Sequence, residues 1–342
     1  MRARMRRLRQ VPLTSTGIVY LVLLVAIVIG VILTAQQGRN FFSTGNITAV
    51  LTATSVLGFI AVGQTLVILG GSLDLSVPFV VSLASVVAGG IMAGRVENIA
   101  TAVLIALAVG ALIGLVIGMI VAFLDVHGFI ATLGVGLIIS GYLGTNYRGT
   151  HGGAPVEFQY IGATRIGPVP LSTLILLGVA VLTMLLLRRT RVGHHLYAVG
   201  GNREVARMSG VHTARSLITA HVLCSTFAAM AGLLLLSRMS VGSPTIGSQG
   251  GYDLMSIAAV VLGGTVLGGG KGNVLGTLGG VAIFAVLNNV MGVMGVNAFV
   301  QDMIRGAVII AAVAVYARRN TTRRPARFER ESLTDQVLTE AR

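Results

Sequence analysis

Tryptophan is absent from this 342-residue chain, cysteine occurs once, and acidic side chains number only 11 against 25 lysines and arginines. Without Trp, the usual indole part of an interfacial aromatic belt is missing. The lone Cys224 sits inside an apolar run, which excludes an intrachain disulfide framework and a cysteine-rich metal site. Charged residues make up 11% of the chain, well under the roughly 25% of a soluble domain. Also missing are a Walker A sequence, a dinucleotide fingerprint and any metal-ligand spacing; the glycine crowd around Gly268 follows an apolar run, where packing or turn chemistry accounts for it. No motif for nucleotide or metal chemistry is therefore on offer within this chain.

Hydrophobic residues are present in excess, at 54% with a mean hydropathy of +0.87, and they define a polytopic membrane protein. The net charge of +14 would suggest nucleic acid in a soluble chain. Here the arginines gather in short tails and loops between apolar runs, so membrane orientation accounts for them and nucleic acid is not an expected partner.

Five arginines (Arg2, Arg4, Arg6, Arg7, Arg9) precede an uncharged run from Gly17 to Thr34 that is long enough to span. A basic segment before an apolar one also describes a signal peptide. The run is too long for one and no convincing cleavage site follows, so a retained first helix is expected. Further apolar runs extend over 47–69, 75–92, 99–123, 129–143, 171–187, 216–236, 274–294 and 299–316. The stretch 256–267, ending at Gly268-Gly269-Gly270, is short for a crossing and suits a half-helix or re-entrant piece. The expected fold is all-α with about ten transmembrane helices, some of them broken. A basic tail (1–16), a membrane-spanning domain (17–316) and a second polar tail (317–342) divide the chain.

An even number of spans puts both tails, the central loop and Lys271 on one side, expected to be cytoplasmic, and leaves Arg39, Arg95, Arg148, Arg165 and Arg238 on the other. The central loop, 188–215, is the one long basic interruption: Arg188, Arg189, Arg191, Arg203, Arg207 and Arg215 face a single acid, Glu204. Asn202 can cap a short helix running through Met208, with Gly210 available to stop it. Such a helix slung between two membrane helices suits a docking element; a solvated basic connector is the competing reading.

Polar groups inside apolar runs or at the breaks beside them mark a candidate path: Gln64, Asp74, Asp253, Asn288 and Asn289. Amides at membrane depth need partners or water, and either line a path or tie helices together. His221 is the one histidine placed well inside a run, and Asp302 and Arg305 are spaced to pair. Gly70-Gly71-Ser72-Leu73-Asp74-Leu75-Ser76 is echoed by Gly250-Gly251-Tyr252-Asp253-Leu254-Met255-Ser256. In this topology Asp74 faces inward and Asp253 outward, as an inverted repeat requires, although glycine-rich turns also resemble one another by chance.

Four motifs in order carry a family resemblance. They are Gly71-Ser72-Leu73-Asp74-Leu75-Ser76-Val77, Phe129-Ile130-Ala131-Thr132-Leu133-Gly134, Tyr197-Ala198-Val199-Gly200-Gly201-Asn202 with Ala206-Arg207-Met208-Ser209-Gly210-Val211, and Ala258-Ala259-Val260-Val261-Leu262-Gly263-Gly264-Thr265. Over about Phe41 to Tyr316 the chain resembles ABC sugar-importer permeases of the ribose-permease type. The resemblance implies a multi-pass subunit of a bacterial inner membrane that translocates a pentose or hexose. Its implied partners are a cytoplasmic ABC ATPase that uses the ATP, an extracytoplasmic sugar-binding protein and a second permease subunit, identical or closely related, with no cofactor in this chain. Glu204-Val205-Ala206 followed by Gly210 resembles the loop that docks the ATPase, and Gly201, Asn202 and Arg207 lie in the same segment. The chain departs from the pattern at Pro78-Phe79, where these permeases usually carry Gly-Ser, which bears on the substrate. A proline early in a helix is compatible with the fold. Two alternatives stand beside this reading: a branched-chain amino-acid ABC permease and a proton-driven secondary transporter.

Overall fold

The structure, a computed structural model, describes residues 15–321. The basic stretch 1–14 and the residues from 322 onward, which hold most of the arginines of both tails, lie outside the described residues. Helices α1 (Ser15–Gln36), α2 (Thr44–Leu69), α3 (Val77–Met92), α4 (Ile99–Phe123) and α5 (Gly128–Asn146) come first. A short α6 (Val156–Ala163) and a two-stranded hairpin, β1 (Arg165–Ile166) with β2 (Val169–Pro170), lead to α7 (Leu171–Arg189). Then follow α8 (Arg191–Gly201), α9 (Arg203–Met208), α10 (Thr213–Met239), α11 (Ile246–Gln249), α12 (Tyr252–Leu262), α13 (Val274–Val293) and α14 (Ala298–Thr321).

Each of the ten expected runs is a helix. Among the described residues seven helices are long and apolar enough to cross a membrane, whereas α3 and α12 are shorter, so helix length alone does not support ten full crossings. Helix α2 is the central post. Its second half is buried on every face, and it packs against α10, α13, α12 and α7. Helix α10 is clasped between α2, α3 and α4. Close approach makes this possible: a Cβ on Gly63 would stand 2.8 Å from the Cys224 Cα, and one on Gly118 2.7 Å from the Ile218 Cα. Small residues at helix contacts give membrane helices the packing that a hydrophobic effect cannot supply inside lipid.

Two breaks shape the interior. Helix α2 stops at Leu69, Gly71 turns through φ +80°, and the chain is non-helical until α3 begins with Pro78 in its first turn, where a missing N–H costs nothing. Helix α10 stops at Ser240 (φ +64°), and 242–247 runs alongside α3: Ser243 N–H donates to Ser85 Oγ (3.2 Å) and Gly247 N–H to Ser82 Oγ (3.0 Å). From their breaks the two short helices head for opposite ends of the molecule. Helix α3 ends beside His151 and Gly242, and α12 leads to Gly270, whose N–H bonds the last residue of α2. Opposed breaks of this kind are what the echo at Asp74 and Asp253 anticipates. Asp74 itself is fully buried and not presented to the inner side, because the broken segment folds back into the core, whereas Asp253 is half-exposed.

Candidate coupling and translocation site

The loop between α7 and α10 is more ordered than expected, since most of it is helix. Thr190 caps α8, its side chain accepting from the Gly193 N–H (3.3 Å), and Leu196 and Val199 bury the helix's apolar side. Asn202 then caps α9, accepting from the Val205 N–H at 3.0 Å. Helix α9 ends in a Schellman motif: Val211 N–H reaches the Ala206 carbonyl, Gly210 N–H reaches that of Arg207 (both 3.0 Å), and Gly210 supplies φ +81°. A Cβ on Gly210 meets nothing within 4 Å, so the left-handed turn, not close packing, calls for glycine here.

Ala206 is buried with Val199, Leu217, Ile117, Val121 and Ala131, which anchors α9 to the bundle. Its other residues face out. Val205 is 58% and Met208 81% exposed, and Glu204 and Arg207 form an exposed ion pair at 2.8 Å. Such a pair contributes about 0–1 kcal/mol to stability. Arg207 and Gly210 also line a groove of about 490 Å³ with Phe123, Val211, His212 and Arg215. Arg203 pairs with Asp125 (2.6 Å) and bonds the Ala122 carbonyl (3.3 Å), tying α9 to the turn between α4 and α5. Asp125 was not singled out from the sequence, because its partner lies 78 positions away.

Beside this loop, three backbones meet. Gly270 N–H donates to the Leu69 carbonyl at 3.0 Å, and a Cβ on Gly200 would collide with that carbonyl and approach Gly270 N to 2.6 Å. Tyr197 Oη donates to the Gly272 carbonyl (2.8 Å). Burial raises its hydroxyl pKa above the usual 10.0, against a lowering by Arg188, so the donor stays protonated. Gly201, the last residue of α8, is exposed, and its Cβ position is free. A cavity of about 390 Å³ opens here, lined by Gly71, Ser72, Gly128, Gly200, Arg203 and Gly268 among others.

Behind Ser72 lies the non-helical segment of the first break, several of whose backbone polar groups find partners within the protein, as membrane depth demands. Gln64, turned so that its carboxamide oxygen faces the Asp74 N–H (3.1 Å) and its nitrogen the Asp74 carbonyl (3.3 Å), pairs with this backbone as a neighbouring strand would. Leu75 N–H donates to Thr132 Oγ1 (3.1 Å), and Ser76 N–H and Oγ both donate to Asp74 Oδ1 (2.9 and 2.6 Å). From α10, His221 contacts Asp74 Oδ2 through Nδ1 (3.4 Å) and Ser72 Oγ through Nε2 (3.1 Å).

The structure brings Gln64 and Asp74 together and sets the other candidate path residues apart. Asn289 donates to Asn46 Oδ1 (2.8 Å), and Asn288 accepts from Arg305 Nε (2.9 Å), which also pairs with Asp302 (2.8 Å). These amides tie α13 to α2 and α14. Asn46 and Gln64 are 18 residues apart on one helix, about 27 Å, so the two groups are not one site. Asp253 is half-exposed in the first turn of α12, where a negative charge suits the helix dipole. Ser72, Ser76, Thr132 and His221 are members of the buried cluster that the sequence did not mark as path residues. The motif residues Gly71 to Val77 and Phe129 to Gly134 held three of them without revealing that the two motifs meet.

Residues 46–313 match the family described as branched-chain amino acid transport system / permease component. The chain is 39% identical over 303 residues to the ribose import permease protein RbsC of Escherichia coli K12, covering 85% of this chain and 92% of that protein. It is 36% identical over 306 residues to RbsC of Bacillus subtilis (85% and 90% covered) and 33% identical over 324 residues to the galactose/methyl galactoside import permease protein MglC of Haemophilus influenzae (89% and 94%). No solved structure matches the chain.

Proposed function

This chain belongs to the branched-chain amino acid transport system / permease component family, and we propose that within it the chain is the membrane-spanning subunit of an ATP-driven importer for a monosaccharide of the pentose or hexose class. The observation that carries the substrate class is the 39% identity with the ribose permease over nearly the whole of both proteins, joined by relatives named for galactose. ATP is hydrolysed by a separate cytoplasmic subunit, and sugar arrives from an extracytoplasmic binding protein. Helix α9 is the docking element: it offers Val205 and Met208 outward while its cap, its Schellman stop and buried Ala206 hold it rigid. On this reading the protein lies in a bacterial inner membrane, with the α8–α9 side and both termini facing the cytoplasm. A second permease copy, or a close relative, packs on the outward face of α5, where Gly134, Gly141 and Gly144 leave open space for close helix approach.

Uptake by the reconstituted complex, challenged with a panel of unlabelled pentoses, hexoses and branched-chain amino acids, tests the substrate class. Competition by one or more monosaccharides is expected. Competition by leucine, isoleucine or valine alone would move the assignment to the amino-acid reading that the family description also covers. A proton-driven transporter is the second reading, and the buried Asp74–His221 contact is what favours it, since ionisable groups at membrane depth often serve proton pathways.

A further inference from the structure

We propose that His221 is a positioning residue that makes α10 and the 70–76 break move as one, so that displacement of the loop helices is delivered to the inner cavity and to the start of α3. The proposal rests on the importer reading above and adds a residue to it. Four observations support it.

His221 and Asp74 are both fully buried, and Ser72 nearly so, so their contacts face no competition from water. A carboxylate accepts, so Nδ1–H is the donor to Asp74, while Nε2 meets the Ser72 hydroxyl, a group able to donate or accept. Both ring nitrogens are thereby committed to the same seven-residue break, one contact on each side of Leu73. The imidazole grips the segment at two points.

The chain continues past Asp74 into Ser76, which immediately precedes α3 and gives both its N–H and its hydroxyl to the Asp74 carboxylate. In the other direction it ends at Ser72, on the wall of the cavity beside Arg203 and Gly200. The relay therefore runs from the cavity wall to the first turn of a half-helix.

The grip is mounted on a rigid body. At the level of His221, a Cβ on Gly114 of α4 would collide with the His221 carbonyl, and one on Gly63 of α2 would stand 2.8 Å from the Cys224 Cα. Backbones this close leave α10 no room to slide against α2 or α4.

That body is also joined to the loop helices. Four residues separate α9 from α10, and Val211 among them packs into the apolar cluster that holds Ala206 of α9 and Leu217 of α10. A push on α9 reaches the break through this cluster, α10 and the imidazole.

The test measures sugar uptake per ATP hydrolysed in vesicles holding the full complex with wild type, His221→Phe or Ser72→Ala permease. His221→Phe keeps a buried ring and removes both contacts; Ser72→Ala removes one and leaves Asp74 paired, which guards against a variant that fails to assemble. Expected is hydrolysis close to wild type with uptake per ATP reduced about tenfold in His221→Phe, in the usual range for coupling between linked sites, and a smaller reduction in Ser72→Ala. Unchanged uptake per ATP in either assembled variant would overturn the proposal. So would parallel loss of permease yield, hydrolysis and uptake in both, the pattern of a residue needed only for folding. If wild type itself shows no ATP-dependent uptake, the importer reading fails first, and the two failures are told apart.

Discussion

The Leu69 carbonyl accepts a hydrogen bond from the Gly270 N–H at 3.0 Å, joining the end of α2 to the loop that follows α12. Gly200 of α8 lies against the same carbonyl, so two membrane elements and the helix leading to α9 meet backbone to backbone. Nothing larger than glycine fits between them.

Gly200→Ala forces a methyl into that junction and is expected to destabilise the permease by about 1–3 kcal/mol, the usual cost of overpacking. Gly201→Ala, next in sequence, meets open space and replaces a poor helix former, so it should be neutral or gain up to about 1 kcal/mol. Thermal unfolding of the two variants in detergent checks the contrast. Equal melting temperatures would refute the packing assignment.

Asn202→Ala removes the acceptor for the Val205 N–H and should cost about 1 kcal/mol locally. Glu204→Arg removes only an exposed pair and should leave stability within about 0.5 kcal/mol. Gly210→Leu must hold a side chain at φ +81°, at roughly 1–2 kcal/mol. All three are expected to reach the membrane in normal amount. Glu204→Arg and Gly210→Leu should then fail to co-purify with the ATPase or to support uptake, whereas wild-type co-purification and uptake in both would make α9 a solvated connector.

Tyr197 gives the junction a pH dependence with a definite sign. Its pKa is higher in the folded protein than the ordinary 10.0, so the folded state binds the proton more tightly. Stability is therefore fully present below about pH 10 and falls as pH rises from there through the folded-state value. Tyr197→Phe loses about 1 kcal/mol at neutral pH with the bond to Gly272 and should show a shallower alkaline decline. A decline as steep as wild type's in the variant would place the effect elsewhere.

The orientation is open to labelling in a Cys224→Ser background. Met208→Cys should react with an impermeant thiol reagent from the side on which ATP acts, and Arg39→Cys from the other, both positions being exposed. Asp74→Cys should react from neither. Labelling of Met208→Cys and Arg39→Cys from the same side would overturn the topology.

Features that depend on neighbours in sequence were legible before the fold was known. The Asn202 cap and the Gly210 stop rest on local backbone chemistry, and the Asp302–Arg305 pair on helical spacing. The ten apolar runs were legible because lipid demands long uncharged stretches. Helix α8 was not, since Gly193, Gly200 and Gly201 lower its propensity and only burial of Leu196 and Val199 shows why it forms. The buried cluster was hidden for another reason: His221 stands 147 positions from Asp74 and 149 from Ser72, and no local pattern announces such contacts. Gln64 drew notice as a buried amide, but its partner is the broken backbone at Asp74, visible only once α2 and the break fold together.

The most direct test of the account is the energy source. In proteoliposomes containing the permease, its ATPase and the binding protein, sugar uptake should require ATP on the α9 side and should persist when the proton gradient is collapsed. Uptake driven by a proton gradient with this chain alone, in the absence of ATP and both partners, would contradict it.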